Sequence, residues 1–381
     1  METFIEMFNW DETEARIYNT LITTSGVLGM AIGTLLSSKS INKGRRKATL
    51  RWAWPAIIGA FVAQVPLVPC ICVGRILCGL TAGHANTIMM KATVETVPSK
   101  YLGYYKWMSN FYIALGILFS FSLGGLDLPI LPYIGETNWR VIYFMPAVFS
   151  LLQIILFGCV YKYEPIAYCI ENGRIDEARL FLKQIYLLRY TRSNDNFEEL
   201  IDVHLEWLRQ HLDTEESTVS LEYAMCGKKY RRATWTSVLI NVFLMESGHI
   251  GFIMYAHRFL EVMLEQTDAV YPTTLQATNV FGVVNFAAVI VALIPVYYYG
   301  RKRIFVVGYG TMAVTLGIAG LCIAFDQYIL ALIAICFYIA IWQTSAGVIT
   351  SIYASEISIL SKNSIFPSKG LALTVSLILH I

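Results

Sequence analysis

Nine long apolar runs dominate this sequence and limit what it can fold into. Each has about the 20 mainly apolar residues that an α-helix needs to cross the hydrocarbon layer of a bilayer. Hydrophobic residues make up 56% of the 381-residue chain and charged residues only 15%, whereas a soluble domain carries roughly 25% charged residues. We therefore predict an all-α, multi-pass membrane protein. The predicted spans cover residues 19–38, 50–67, 69–90, 104–124, 141–161, 235–260, 274–299, 304–324 and 328–352.

Basic residues are concentrated in alternate joints between these spans. Six of them lie within residues 39–51, three more are consecutive at 301–303, and the long charged segment 162–233 falls on the same side. The opposite joints hold a single basic residue, Arg140. Because cytoplasmic loops carry the excess of Lys and Arg, we expect the 162–233 segment in the cytoplasm. The sequence leaves open whether the membrane is the plasma membrane or an internal one.

Two sequence signals occur twice at similar spacing. The turns "NKGRRK" at 42–47 and "YYGRKR" at 298–303 are followed, 51 and 56 residues after their glycines, by Glu95 and Glu356. Parallel repeats of this kind, with the site between the halves, are known among transporters. The predicted parts are an N-terminal transmembrane bundle, a linker with helices at 174–189 and 197–211, and a C-terminal transmembrane bundle, at residues 1–161, 162–233 and 234–381.

Further motifs lie between these repeated signals: "GRILCGLTAG" at 74–83, "EPIAYCIENGRIDEARLFLKQI" at 164–185 and "YASE" at 353–356. In their order and spacing the chain resembles the sugar porter family of the major facilitator superfamily over roughly residues 20–375. The resemblance implies the major facilitator fold, with two parallel-repeat helical bundles that work by alternating access. It matches the chain to family helices 2–6 and 7–11.

On this match we expect about nine and a half of the family's twelve transmembrane helices. The first family helix is absent, and the eleventh is cut off, since the 12 residues from Gly370 to Ile381 give a helix of only roughly 18 Å. The sequence does not decide between a fragment and a naturally reduced protein.

The resemblance also implies a solute site near the middle of the membrane. Asn110 falls on a family glutamine, Asn285 on a family asparagine and Gln343 on a family acid. Amides suit sugars because each supplies both donors and acceptors to hydroxyl groups. The alternative for each residue is a structural hydrogen bond between two helices.

Glu246 and His249 are candidates from the residues alone. In an unbroken helix they lie one turn apart and share a face, and Glu246 comes roughly 18 Å into the bilayer at 1.5 Å per residue. A buried Glu beside a His could relay protons or bind a cationic group. The alternative is a neutral Glu that is hydrogen-bonded to a neighbouring helix.

Arg75 and a set of charged residues at the basic face are the remaining candidates. Arg75 lies inside an apolar run and is either an arginine that reaches the interface or a proton-coupling partner, as the resemblance implies. The resemblance and the duplication together predict a cytoplasmic gate of opposite charges between the two halves. The predicted gate residues are Arg45, Arg46, Glu95, Arg301, Arg303, Glu356 and Lys369.

The sequence gives little support to other classes of function. It contains no Gly-rich phosphate loop, no metal-ligand spacing and no nucleophile constellation, so we expect no enzyme activity, no cofactor, no metal and no nucleic-acid partner. The expected partners are a small sugar-like solute, the lipid bilayer and, for a coupled carrier, protons; no oligomer is required. A non-transporting membrane sensor and a carrier of charged organic solutes stay open as alternatives, and the sequence does not decide between uniport and proton symport.

Overall fold

Helices are the only regular elements in the part of the chain that the structure describes. The structure is a computed structural model, and the described residues are 2–97, 101–124, 138–189, 197–213, 226–228, 231–266 and 274–350. Eight helices within these ranges are long and apolar enough to cross a membrane. They cover Glu12–Ser37, Val68–Thr93, Gly103–Gly124, Trp139–Val160, Thr234–Met254, Gln276–Pro295, Lys302–Ala324 and Tyr328–Thr350.

The described chain divides into two compact units. The first holds its residues up to 97 and those between 143 and 238, and the second holds those between 101 and 142 and between 239 and 350. The predicted boundaries at 161 and 234 come from the repeated sequence signals and not from compactness. They therefore stay a prediction. Helix α7, Asn138–Ile155, and helix α11, Arg231–Glu246, each run through a division point.

The first unit contains most of the N-terminal spans and the charged linker. Its helices are α1 (Glu2–Phe8), α2 (Glu12–Ile41), α3 (Arg45–Trp52), α4 (Trp54–Val62), α5 (Val68–Thr96), α8 (Ile166–Glu171), α9 (Ile175–Arg189) and α10 (Phe197–Asp213). In place of one span at 50–67, α3 and α4 follow each other with only Ala53 between them. Pro55 explains the interruption, because it has no N–H to continue the helical hydrogen bonds and is tolerated only at a helix start.

Helices α2 and α5 pack with their backbones in close approach. A Cβ added at Gly79 would meet the carbonyl oxygen of Gly26, and one added at Gly83 would meet that of Met30. Small residues permit such packing between membrane helices, where no hydrophobic force pulls one helix towards another. These glycines therefore fix the pairing of α2 with α5.

The second unit contains the remaining apolar helices and the second basic turn. Its helices are α6 (Leu102–Gly124), α12 (His249–Met254), α13 (Ala256–Glu265), α14 (Thr274–Val291), α15 (Leu293–Tyr298), α16 (Arg301–Ala324) and α17 (Tyr328–Trp342). Helix α17 packs against α14 and α16, just as α5 packs against α2 and α4 in the first unit. Each unit thus has a long helix that packs against two others, while the duplication of the two halves stays a prediction.

The charged linker contains the two helices that its sequence predicts. The predicted ranges 174–189 and 197–211 correspond to α9, Ile175–Arg189, and α10, Phe197–Asp213. Arg179 approaches Asp202 to 2.8 Å, and Lys183 pairs with Glu198. The hydrogen bond from Lys183 lowers the pKa of Glu198 below its usual range. These ion pairs join α9 to α10.

Candidate functional site

A pair of buried amides lies in the second unit, between α14 and the end of α17. Asn285 and Gln343 are 1% and 5% exposed, and the Gln343 Nε2 group donates a hydrogen bond to Asn285 Oδ1. The Asn285 Nδ2 group is buried, and within the described residues it has no hydrogen-bond partner. A buried N–H group without a partner is rare and costs free energy, so this atom is a ready donor for a solute.

Asn110 reaches the same region from α6. Its Nδ2 atom donates to the Gly347 carbonyl at 3.4 Å, and Trp107, one turn earlier on α6, donates its indole N–H to the Val289 carbonyl at 2.7 Å. The predicted residues Asn110, Asn285 and Gln343 thus gather around one segment of α17 and its extension.

That extension is a π-helical turn, Gln343–Gly347. Single π turns inside α-helices are rare and frequently occur at functional sites, because the wider turn frees backbone groups from regular pairing. Gly347 supplies the carbonyl that Asn110 contacts, and Ser345 in the same turn lies against Gly308 of α16. The turn gives Gln343 its position beside Asn285.

The structure corrects the prediction for Glu246 and His249. Gly248 has φ +80 and separates α11 from α12, so the two residues are not on one unbroken helix. His249 is buried, at 2% exposed, whereas Glu246 is exposed. The expectation of one unbroken helix with a shared face is therefore wrong. The left-handed glycine, which turns the chain between them, is the physical reason. Glu246 still lies inside the candidate span Thr234–Met254, and its role stays a prediction.

Three residues that the sequence did not single out hold this helix break in place. The Trp342 indole donates to Ser247 Oγ at 2.8 Å, and the Tyr338 hydroxyl donates to the Ser247 carbonyl. The His249 ring stacks on Trp342 with the ring centroids 3.5 Å apart and the planes at 13°. Trp342 directly precedes Gln343, and this adjacency is the signal that could have identified it.

Arg75 lies in the first unit against an aromatic ring. Its guanidinium carbon is 5.6 Å from the centroid of the Tyr143 ring, and its Nε atom lies beside Gly26. No carboxylate of the described residues pairs with it. The contact is a cation–π interaction, which is stronger where water is excluded. Its role in proton coupling stays a prediction.

The charged residues at the basic end of the first unit form a cluster around Arg45. The Arg45 guanidinium binds the Glu95 carboxylate through two hydrogen bonds, with 2.9 Å between Nε and Oε2. It also lies over the Tyr168 ring, 4.5 Å from the centroid. Arg45 is 4% exposed and Glu95 is 11% exposed. The cluster therefore joins α3, α5 and α8 in a largely dry environment.

Glu164 organises the turn that precedes α3. Its carboxylate accepts hydrogen bonds from the backbone N–H groups of Arg46 at 2.8 Å and Lys47 at 3.1 Å, which are free because they lie in the first turn of a helix. The Arg46 side chain donates to the carbonyls of Phe157 and Tyr161. Burial raises the pKa of the nearby Cys169 thiol to about 11, and Glu177 and Glu164 act in the same direction.

The other predicted gate residues belong to the C-terminal half of the chain. Arg301 begins α16, and Arg303 is exposed in the first turn of the same helix. Glu356 and Lys369 lie outside the described residues. The structure brings two of the predicted gate residues, Arg45 and Glu95, together. The gate itself stays a prediction. No cluster of His, Cys, Asp and Glu fit to hold a metal occurs among the described residues.

Comparison with known proteins identifies both a family profile and a fold. Residues 1–373 match the profile of the family described as "Sugar (and other) transporter". Hexose transporter 1 of Toxoplasma gondii is 23% identical over 320 residues, which are 82% of this chain and 55% of that protein. The galactose-proton symporter of Escherichia coli strain K12 is 25% identical over 305 residues, 78% of this chain and 60% of that protein.

The xylose transporter XylE of E. coli, in a partially occluded inward-open conformation, has a similar structure. The TM-score is 0.70 at 20% sequence identity, covering 94% of this chain and 81% of that one. This likeness establishes the major facilitator fold. The family match and the eight apolar helices together identify a multi-pass integral membrane protein. The chain spans 55% and 60% of the length of the two curated relatives.

Proposed function

We propose, because this chain belongs to the sugar (and other) transporter family, that it carries a small neutral polyol, in the first place a sugar, across a membrane by alternating access. The observation that supports this most directly is the buried pair of Asn285 and Gln343, with the Nδ2 group of Asn285 free to donate. A buried polar group without a partner discriminates strongly for a solute that pairs with it. A sugar hydroxyl is such an acceptor.

The surroundings of the pair suit a sugar ring. Trp342, stacked on His249, lies one residue before Gln343. Phe111 and Phe286, which follow Asn110 and Asn285 in the sequence, pack with their ring centroids 5.1 Å apart and their planes tilted by 49°. Small-molecule sites combine such aromatic walls with a few convergent polar groups. Glu246 and His249 are the two ionisable candidates here. A neutral solute requires neither, whereas a cationic solute is expected to pair with Glu246.

Proton coupling is a second part of the proposal. One relative is named a galactose-proton symporter. In this chain Arg75 is the cationic candidate on α5, and no described carboxylate pairs with it. We place the basic end of the spans, with the 162–233 segment, on the cytoplasmic side. Uptake that collapses with a protonophore supports symport, and uptake that persists supports uniport.

The test is binding and uptake with matched variants. Labelled D-glucose, D-galactose and D-xylose are offered to the purified chain and to cells that express it. In Asn285→Ala, the loss of one hydrogen bond is expected to weaken sugar binding about tenfold. Thr311→Val serves as the control, because Thr311 is exposed on α16 and bonds only carbonyls of its own helix, at Val307 and Gly308.

Each other outcome identifies an alternative. Sugar binding without uptake indicates a membrane sensor. Binding of cationic organic solutes but of no neutral polyol, abolished in Glu246→Gln, indicates a carrier of charged solutes. Equal sugar binding in wild type and Asn285→Ala removes Asn285 from the site.

A further inference from the structure

An open groove of about 390 Å³ lies at the basic end of α2, outside the clusters described above. It is lined by Leu36, Lys39, Lys43, Arg51, Trp52 and Pro55. The three cations are exposed, and within the described chain their side chains have no ion-pair or hydrogen-bond partner. Arg45 and Arg46, in the same turn, are occupied by Glu95 and by backbone carbonyls. No carboxylate of the described residues therefore neutralises the three cations that line the groove.

We propose that this groove binds the headgroup of an anionic phospholipid. Three cations that converge on one concave surface match a phosphate with a further negative group. Clusters of Lys and Arg next to a transmembrane helix recognise anionic lipids in this way. The proposal concerns the first unit alone and does not depend on sugar transport.

The position of the groove along the helix favours a lipid over a free anion. The apolar span of α2 ends at Ser37, and Lys39 follows two residues later. Leu28, Ile32 and Leu36 are 40%, 38% and 41% exposed and are spaced four residues apart, so they form one stripe on the helix. Lys39 continues that stripe. An acyl chain that lies along the stripe places its phosphate beside the cations.

Pro55 at the start of α4 lines the other side of the groove. Along α4, Trp54, Ile58 and Phe61 are exposed at spacings of four and three residues, which puts them on one apolar face of that helix. Apolar surface therefore lies next to the cations on both helices. A free phosphate gains nothing from these surfaces, whereas a lipid buries them.

The groove is held in shape by Trp52. Its indole N–H donates to Ser40 Oγ at 3.0 Å, and its ring stacks on the fully buried His84, with the centroids 4.4 Å apart. The Thr81 hydroxyl donates to the Trp52 carbonyl at 2.8 Å. A Trp with one apolar face and a polar edge is typical of the headgroup level of a membrane. The site is thus preformed.

The test titrates phosphatidylserine, phosphatidylcholine, glycerophosphoserine and inorganic phosphate against the purified chain in detergent. Bound lipid is counted by native mass spectrometry, and thermal unfolding is recorded in parallel. We expect phosphatidylserine to bind more tightly than phosphatidylcholine and to raise the unfolding temperature. Removing all three cations is expected to weaken phosphatidylserine binding about 100-fold, at roughly fivefold for each. The variant is Lys39→Gln with Lys43→Gln and Arg51→Gln.

The matched control removes three exposed cations elsewhere, with Arg231→Gln, Arg232→Gln and Lys302→Gln. It is expected to change the affinity less than about threefold, since only general attraction is lost. Leu36→Asn should weaken phosphatidylserine binding without changing the binding of glycerophosphoserine. Equal loss in both triple variants, or no preference for phosphatidylserine over phosphatidylcholine, overturns the proposal. Binding of glycerophosphoserine or inorganic phosphate as tight as that of the lipid overturns it in favour of a soluble phosphate.

Discussion

At the scale of single residues, the two basic turns illustrate how similar sequences take different roles. Gly44 and Gly300 each precede a helix that begins with three basic residues. Gly44 has φ +113, and a Cβ there would meet the Glu164 carboxylate. Gly300 has φ −70, and no atom of the described residues lies within 4 Å of a Cβ built there. The first turn is built around Glu164, and the described residues give the second turn no such partner.

This difference predicts unequal effects of the same substitution. Gly44→Ala forces a side chain into a backbone conformation that L-residues avoid, which costs about 1–3 kcal/mol, and it also displaces the Glu164 carboxylate from the α3 amides. Gly300→Ala is the control and should leave stability unchanged. Thermal unfolding of both purified variants measures the effect. Equal melting temperatures for the two would mean that Glu164 does not organise the turn.

At the scale of helices, the α2–α5 pair predicts a steric effect. Gly83→Ala adds one methyl group against the Met30 carbonyl, and overpacking of this kind costs about 1–3 kcal/mol. Gly116→Ala on α6 is the control, since no atom lies within 4 Å of its added Cβ. Unfolding temperature and the monodisperse fraction in size-exclusion chromatography are the measurements. Full stability of Gly83→Ala would contradict the close approach of the two helices.

The sequence predicts some elements well and others poorly, for physical reasons. Helices α9 and α10 alternate charged and apolar residues with a helical period, so the positions 174–189 and 197–211 are close to Ile175–Arg189 and Phe197–Asp213. Inside the membrane no such period exists, because lipid-facing and buried positions are both apolar. The breaks at Ala53 and Gly248 and the π turn at Gln343–Gly347 are therefore not predictable from the pattern of residues.

The residues of the candidate site also differ in how far the sequence identifies them. Asn110, Asn285 and Gln343 are polar residues in apolar helices, which is typical of a solute pathway, and the family resemblance is what selects these three. Ser247 and Trp342 are ordinary in composition, and only the fold brings the Trp342 indole to Ser247. The expectation that Glu246 and His249 share one helical face is wrong because Gly248 interrupts the helix between them.

At the scale of the whole molecule, the repeated helix pattern gives each unit a basic turn before an equivalent helix. In the first unit this turn is tied to the following span through Arg45 and Glu95. Alternating access requires charge contacts that form in one state and break in another, and about 1.4 kcal/mol shifts such populations tenfold. A contact as buried as that of Arg45 and Glu95 contributes to the stability of one unit. The gate between the halves then depends on other residues of the predicted set, and Glu356 is the acidic one among them.

Double-mutant cycles distinguish these two roles. Arg45→Gln with Glu95→Gln is expected to show a coupling energy of about 2–3 kcal/mol in thermal unfolding, because each single change leaves a largely buried charge without its partner. Arg45→Gln with Glu356→Gln is expected to show little coupling in unfolding and a clear coupling in the rate of sugar uptake. Lys47→Gln is the control, since Lys47 is exposed and uses only its backbone N–H to bind Glu164. If the Arg45–Glu356 cycle is additive in uptake, the gate does not depend on that pair. If the Arg45–Glu95 cycle is additive in unfolding, the buried contact does not stabilise the unit.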